Sequence, residues 1–170
     1  MRNISVVHRC IFRIERRYEP FVEKGQKPPA TGYQAGDLVR VTLTFVLTKE
    51  RRFVAVTDPL PAGFEAVESW FNTTAQSLSQ AQDRQSSQRG DGEVAEWQSW
   101  WLLGGFDHVE RHDDRIQLFA TRLGSGSHEF SYIARATTAG TFRTAPARAE
   151  EMYTPEIFGR TESITIEVKR

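Results

Sequence analysis

Cysteine is nearly absent: Cys10 is the only one in 170 residues. A disulfide within the chain is therefore excluded, and so is a cysteine-rich zinc site. No apolar run approaches the roughly 18 residues that mark a membrane-spanning helix, so nothing here reads as crossing a membrane. Neither sign of charge is in surplus, with 22 Lys and Arg against 22 Asp and Glu. Binding to nucleic acid through bulk charge needs a basic excess, so nucleic acid is not an expected partner. The opening residues Met1 to Ile4 lack the apolar core of an export signal, which fits either a cytoplasmic chain or a piece of a longer, exported precursor. A sustained 3.6-residue period is also missing, and with it any long amphipathic helix.

What is present is alternation. Val6, His8, Cys10, Phe12, Ile14 and Tyr18 share one phase, with Arg9, Arg13, Glu15 and Arg17 on the other. Val39, Val41, Leu43, Phe45 and Leu47 make the cleanest strand face, opposite Arg40, Thr42, Thr44 and Thr48. Phe53 to Thr57 is a short apolar run that Asp58-Pro59 and Pro61-Ala62-Gly63 are expected to stop. Phe64, Ala66 and Trp70 predict another strand. Further signals lie at Val109, at Ile116 to Ala120, at Phe130, Tyr132, Ala134 and Ala136, and at Ile164, Ile166 and Val168. Gly124 to Ser127 reads as a hairpin turn. Residues 72–92, rich in Gln, Ser and Asp, read as a long polar loop.

A chain of this size exposes roughly 8,500 Å² and buries about 70% of its unfolded surface, enough for one sizeable core. With about seven to nine short strands and no linker, the expected fold is all-β: a single antiparallel two-layer β-sandwich. Val41, Leu43, Phe45, Tyr132, Ile164 and Ile166 are its expected core markers.

The catalytic inventory is thin. His108, Glu110 and His112 form H-x-E-x-H, which on a strand points three side chains one way toward a metal, with Asp114 as a fourth ligand. Arg111, Asp113 and Arg115 around them favour an ordinary solvated face, and no metal is assigned. Ser125 sits in G-S-G, a turn rather than a nucleophile elbow. Glu150 and Glu151 are adjacent and diverge on a strand, which separates them as an acid/base pair. Cys10 lies in phase with apolar residues and reads as a small buried hydrophobe. Gly104-Gly105 precedes no helix and no suitably placed lysine, so it is no phosphate loop. The expectation is no enzyme activity and no cofactor. Trp97, Trp100 and Trp101 keep two readings: a core wall or interface, or a sugar-stacking surface that would make the chain a carbohydrate-binding module.

Residues 106–119, F-D-H-V-E-R-H-D-D-R-I-Q-L-F, and 132–160, Y-I-A-R-A-T-T-A-G-T-F-R-T-A-P-A-R-A-E-E-M-Y-T-P-E-I-F-G-R, carry a more specific signal, joined by T-D-P-L-P-A-G-F at 57–64. Together they resemble the carboxy-terminal macroglobulin-like domain of bacterial alpha-2-macroglobulins, which stands where animal members carry the receptor-binding domain. The resemblance spans about residues 4–170, is specific from Val39 onward, and is weakest over 72–92. It implies a macroglobulin/immunoglobulin-like sandwich and a single C-terminal domain, residues 1–170, cut from a much larger protein. It further implies part of a periplasmic, broad-spectrum peptidase inhibitor, often lipid-anchored to the inner membrane. Such a trap is cut in a bait segment, rearranges, and in many members captures the protease through a cysteine–glutamine thioester.

Cys10 lies in H-R-C-I-F and not in a C-x-E-Q run, so the thioester is not in this chain. The implied partners are the thioester domain and other macroglobulin-like domains of the same polypeptide, with proteases as targets of the whole protein. In thioester-bearing members a loop of this domain covers the thioester of its neighbour. The family's M-Y-x-P-E motif matches Met152, Tyr153, Thr154, Pro155 and Glu156. A thioester survives only while water and amines are kept away, and a thioether and a phenol ring can seal a pocket without offering a nucleophile. Thr154-Pro155 is expected to turn the chain, which places Met152 and Tyr153 at an exposed tip.

Overall fold

The structure, a computed structural model, describes residues 12–21, 32–67 and 104–170. Val6, His8, Cys10, Trp70, the polar stretch 72–92, Trp97, Trp100 and Trp101 lie outside the described residues. Within them the chain forms twelve strands: β1 (Phe12–Pro20), β2 (Tyr33–Gln34), β3 (Leu38–Leu47), β4 (Arg51–Pro59), β5 (Phe64–Ala66), β6 (His108–Arg111), β7 (Arg115–Leu123), β8 (Gly126–Ala136), β9 (Gly140–Arg143), β10 (Arg148–Glu151), β11 (Thr154–Arg160) and β12 (Thr165–Lys169). The count exceeds the seven to nine expected because β2 has two residues and β9 and β10 four each, too short for a two-residue period to stand out.

Two large sheets face each other. One has the order β1-β3-β8-β5, the other β11-β10-β4-β7-β6, and a small β2-β12-β9 sheet completes the fold. Every ladder is antiparallel except β2 with β12. The alternation translates directly into the core: Val39, Val41, Leu43, Phe45 and Leu47 from β3 meet Val54 and Val56 from β4 and Ile116 and Leu118 from β7 in one buried cluster. Phe106 lies across Phe45 with ring centroids 5.3 Å apart and across Phe130 at 6.5 Å, both edge to face. Of the expected core markers, Val41, Leu43, Phe45, Tyr132 and Ile166 are buried. Ile164, just before β12, is only half-buried and packs against the rim of the core, its carbonyl accepting the Thr144 N–H at 2.8 Å.

Gly124 to Ser127 is not a hairpin. β7 belongs to the five-stranded sheet and β8 to the four-stranded one, so Gly124-Ser125 carries the chain between layers. The β3–β4 connection does the same beside it, for Leu47 pairs with Gly126 and Arg51 with Leu123. The two connected strand pairs form one antiparallel ribbon folded over at its middle. The His128 ring lies between the two carbonyls of Gly104 and Gly124, at 3.1 and 2.8 Å, and ties this corner together. Turn chemistry is the same for a hairpin and a layer crossing; the choice is made by long-range pairing.

Candidate interdomain contact site

The M-Y-x-P-E residues sit on the β10–β11 hairpin, at an edge of the five-stranded sheet. The turn consists of Met152 and Tyr153 themselves, whereas Thr154 and Pro155 already belong to β11. The register breaks there: Glu150 pairs with Phe158 but Glu151 with Thr154. Pro155, which has no N–H to donate, lies in that irregular stretch on an edge strand, where its missing donor is harmless. Pro155 and Glu156 are exposed. Met152 is 52% and Tyr153 77% exposed, so the expected exposed tip is present, one step earlier along the chain than a turn at Thr154-Pro155 would put it.

β4 supports the tip from below. The Met152 N–H donates to the Phe53 carbonyl at 2.8 Å, which extends the β10–β4 ladder by one residue. The Phe53 ring, 44% exposed, meets Tyr153 edge to face at 5.0 Å. Phe53 holds φ at +50°, the left-handed region, unlike every other described non-glycine residue. That conformation costs an L-residue roughly 1–2 kcal/mol. Beside it Arg51 pairs with Glu151 at 3.4 Å, both side chains mostly covered. Phe53 was not among the site residues the sequence pointed to, because an aromatic opening an apolar run reads as core.

A second cluster lies in the interior. Arg16 of β1 donates through Nη1 to Asp58 Oδ1 at 2.5 Å, and through Nη2 to Thr144 Oγ1 and the Ala145 carbonyl, each at 2.8 Å. The Tyr132 hydroxyl donates to Asp58 Oδ2 at 2.7 Å. The Arg16 and Asp58 side chains are 2% and 0% exposed. Tyr18 lies under the guanidinium, 5.4 Å from ring centre to Cζ. Burial pushes the Asp58 carboxyl up, against the pull of the Arg16 cation and the hydrogen bonds from Tyr132 and Arg16. Burial likewise raises the Tyr132 and Tyr18 phenols well above tyrosine's ordinary range, and the Asp58 charge adds to both. This node joins both large sheets to the loop after β9. β4 does end at Pro59, but Asp58 is still part of the strand and continues the inward phase of Val54 and Val56.

The remaining candidates are surface features. His108 and His112 each approach one oxygen of Glu110, at 3.5 and 3.4 Å, on an exposed strand, and Asp114 turns to Arg115 at 3.6 Å. Among the described residues no group of three or more His, Cys, Asp and Glu side chains is arranged to hold a metal ion. Glu150 bonds Arg148 at 2.6 Å while Glu151 faces Arg51, so the two carboxylates are separately neutralised. Ser125 lies in the layer crossing between β7 and β8.

The family profile described as "Bacterial Alpha-2-macroglobulin MG10 domain" matches residues 12–156. The chain belongs to this family. Among curated proteins, an alpha-2-macroglobulin homolog of Nostoc is 31% identical over 134 residues, 79% of this chain and 6% of the relative. A circularly permutated Ras protein 2 of Dictyostelium discoideum is 27% identical over 158 residues, 90% of this chain and 3% of the relative. Among solved structures, the native alpha-2-macroglobulin fragment of Escherichia coli running from domain MG7 to the C-terminus superimposes with a TM-score of 0.67 at 23% identity, covering 98% of this chain and 24% of that one. At that identity the superposition shows the shared sandwich fold. The chain thus spans a small part of the curated relatives it matches. No helix among the described residues is long and apolar enough to cross a membrane.

Proposed function

We propose that this MG10 domain, residues 1–170, is the non-enzymatic C-terminal domain of a larger bacterial peptidase inhibitor. It packs on a neighbouring thioester domain and shields the thioester until the bait is cut. The parent is then a broad-spectrum protease trap of the periplasm, and the domain's partners are other domains of its own polypeptide. The observation that carries this reading is the pair Met152 and Tyr153, two large side chains held out at a hairpin tip. Folding alone leaves such a pair unexplained: apolar surface at a tip lowers solubility unless something covers it. The MG10 description, which numbers the domain tenth, favours a late position in the chain.

The chemistry asked of the tip is exclusion. A thioester reacts with amines and water whenever they reach it, so the covering groups must be bulky, apolar and without a nucleophile, as a thioether and a flat ring are. The Met152→Ala/Tyr153→Ala pair in the thioester-bearing parent should release thiol faster with methylamine before any protease is added, and should capture less protease covalently. Thiol release as slow as in wild type would remove the shielding role.

A further inference from the structure

Three residues, and not two, meet at the tip. We propose that Phe53, on β4, is the positioning residue of the contact surface: its ring fixes the pose of Tyr153 and its backbone fixes Met152. This rests on the shielding function proposed for Met152 and Tyr153. Three observations converge on Phe53. Its carbonyl accepts the Met152 N–H at 2.8 Å. Its ring meets the Tyr153 ring edge to face at 5.0 Å and 85°. It does both from a left-handed backbone, φ +50°, that glycine or asparagine would adopt with less strain. A bulky aromatic in such a conformation persists only where the surrounding structure holds it there, and such residues gather at functional sites. The residue is also 44% exposed and belongs neither to the buried core cluster nor to the hydrophobics packed against it. Tyr153, at 77% exposure, has one ring neighbour among the described residues to hold it, and that neighbour is Phe53.

The backbone conformation separates a positioning role from a structural one. Phe53→Gly removes the ring and relieves the strain; Phe53→Ala removes the ring and keeps it. The Tm of the 170-residue chain should therefore be higher for Phe53→Gly than for Phe53→Ala, the reverse of the usual order in a strand. In both variants the Tyr153 ring protons should move away from their wild-type NMR shifts, and Phe53→Trp should restore a ring-shifted Tyr153. In the thioester-bearing parent, Phe53→Gly should speed methylamine-driven thiol release roughly threefold to tenfold, the range an edge-to-face pair supports. Wild-type Tyr153 shifts in Phe53→Gly would overturn the inference. Unchanged thiol release in Phe53→Gly beside faster release in Met152→Ala/Tyr153→Ala would overturn it alone and leave the shielding role standing. Unchanged release in both would overturn the shielding role and Phe53's part in it together.

Discussion

Strand β4 carries opposite exceptions at its two ends. Near its start Phe53 holds an aromatic ring outside, beside Met152 and Tyr153; near its end Asp58 holds a carboxylate inside, against Arg16 and Tyr132. Between them Val54 and Val56 are buried in the ordinary way. The polar exception is partnered inside the fold: both Asp58 oxygens accept, from a guanidinium and a phenol, and Nη2 of that guanidinium reaches Thr144 and Ala145. The apolar exception is partnered only with itself. A satisfied misfit belongs to the fold, whereas an unsatisfied one awaits something outside it. That difference fits the node to stability and the tip to the recognition role proposed for it, and each half of the comparison can be broken separately.

The largest effect on stability is expected at the node. Asp58→Ala leaves the Arg16 cation buried without its counter-charge and should cost about 3–5 kcal/mol. In a domain of this size that lowers Tm by about 10 °C or more. Replacing both partners, Arg16→Met with Asp58→Leu, removes the charges together and should recover most of the loss. Guanidinium unfolding of the three variants decides between them. A double variant as unstable as Asp58→Ala would mean that the node contributes through the bonds to Tyr132 and Thr144 rather than through charge balance.

The node also sets a pH limit on the alkaline side. Tyr132 and Tyr18 have folded phenol values raised above the ordinary 10, first by burial and then by Asp58. A raised folded value gives stability that is complete below the unfolded value near 10 and is lost as pH climbs through it toward the folded value. At about pH 11 the loss should be about 1.4 kcal/mol for each of these two tyrosines. Denaturant midpoints that stay flat between about pH 9 and pH 11 would show that the phenols titrate as in the unfolded chain.

Much of the fold was legible in the sequence, and the places where it was not share a cause. Val39 to Leu47 stated its buried face outright, since β3 is central and one side of it is core. Arg16 and Asp58 were legible too in principle: Arg16 interrupts the phase Phe12, Ile14, Tyr18, and Asp58 follows Val54 and Val56 in phase. A charge at an apolar position reads as an end of the strand unless its opposite is known to stand across the layer, and two-residue periodicity holds no information about that partner. The crossing at Gly124-Ser125 failed for the same reason, a long-range choice between hairpin and layer change. The tip was visible through the M-Y-x-P-E resemblance at Met152 to Glu156, but Phe53 was not. Its role depends on β10 pairing with β4, residues far apart in the chain, and on a left-handed φ that no side chain other than glycine or asparagine advertises.

A smaller effect is expected where the tip's hairpin is bolted to the core. Gly159 of β11 lies so close to β1 that a Cβ there would run into the Phe12 carbonyl and Cβ. Gly159→Ala should cost about 1–3 kcal/mol, since backbone on both sides must shift. It sharpens the comparison because it shifts the hairpin without altering the side chains of Phe53, Met152 or Tyr153. Hydrogen exchange should quicken along β10 and β11 before it quickens in β3; uniform quickening would place Gly159 in the same cooperative unit as the node.

The smallest effect on stability should come from the tip itself. Met152 and Tyr153 occupy a turn, at 52% and 77% exposure, and the Tyr153 ring gives up one edge-to-face contact when it is removed. Alanine is compatible with that turn and with the bond from residue 152 to the Phe53 carbonyl, because the bond uses the backbone N–H. In the 170-residue chain, Met152→Ala with Tyr153→Ala should therefore cost no more than about 1 kcal/mol, the scale of one half-exposed edge-to-face pair. Denaturant unfolding of this variant beside Asp58→Ala tests the division of the molecule directly. The node variant should lose several kcal/mol at once, while the tip variant stays near the wild-type midpoint and keeps its slope. A tip loss approaching that of the node would mean that Met152 and Tyr153 already satisfy each other within the domain, and the argument that they await a neighbour would fall with it.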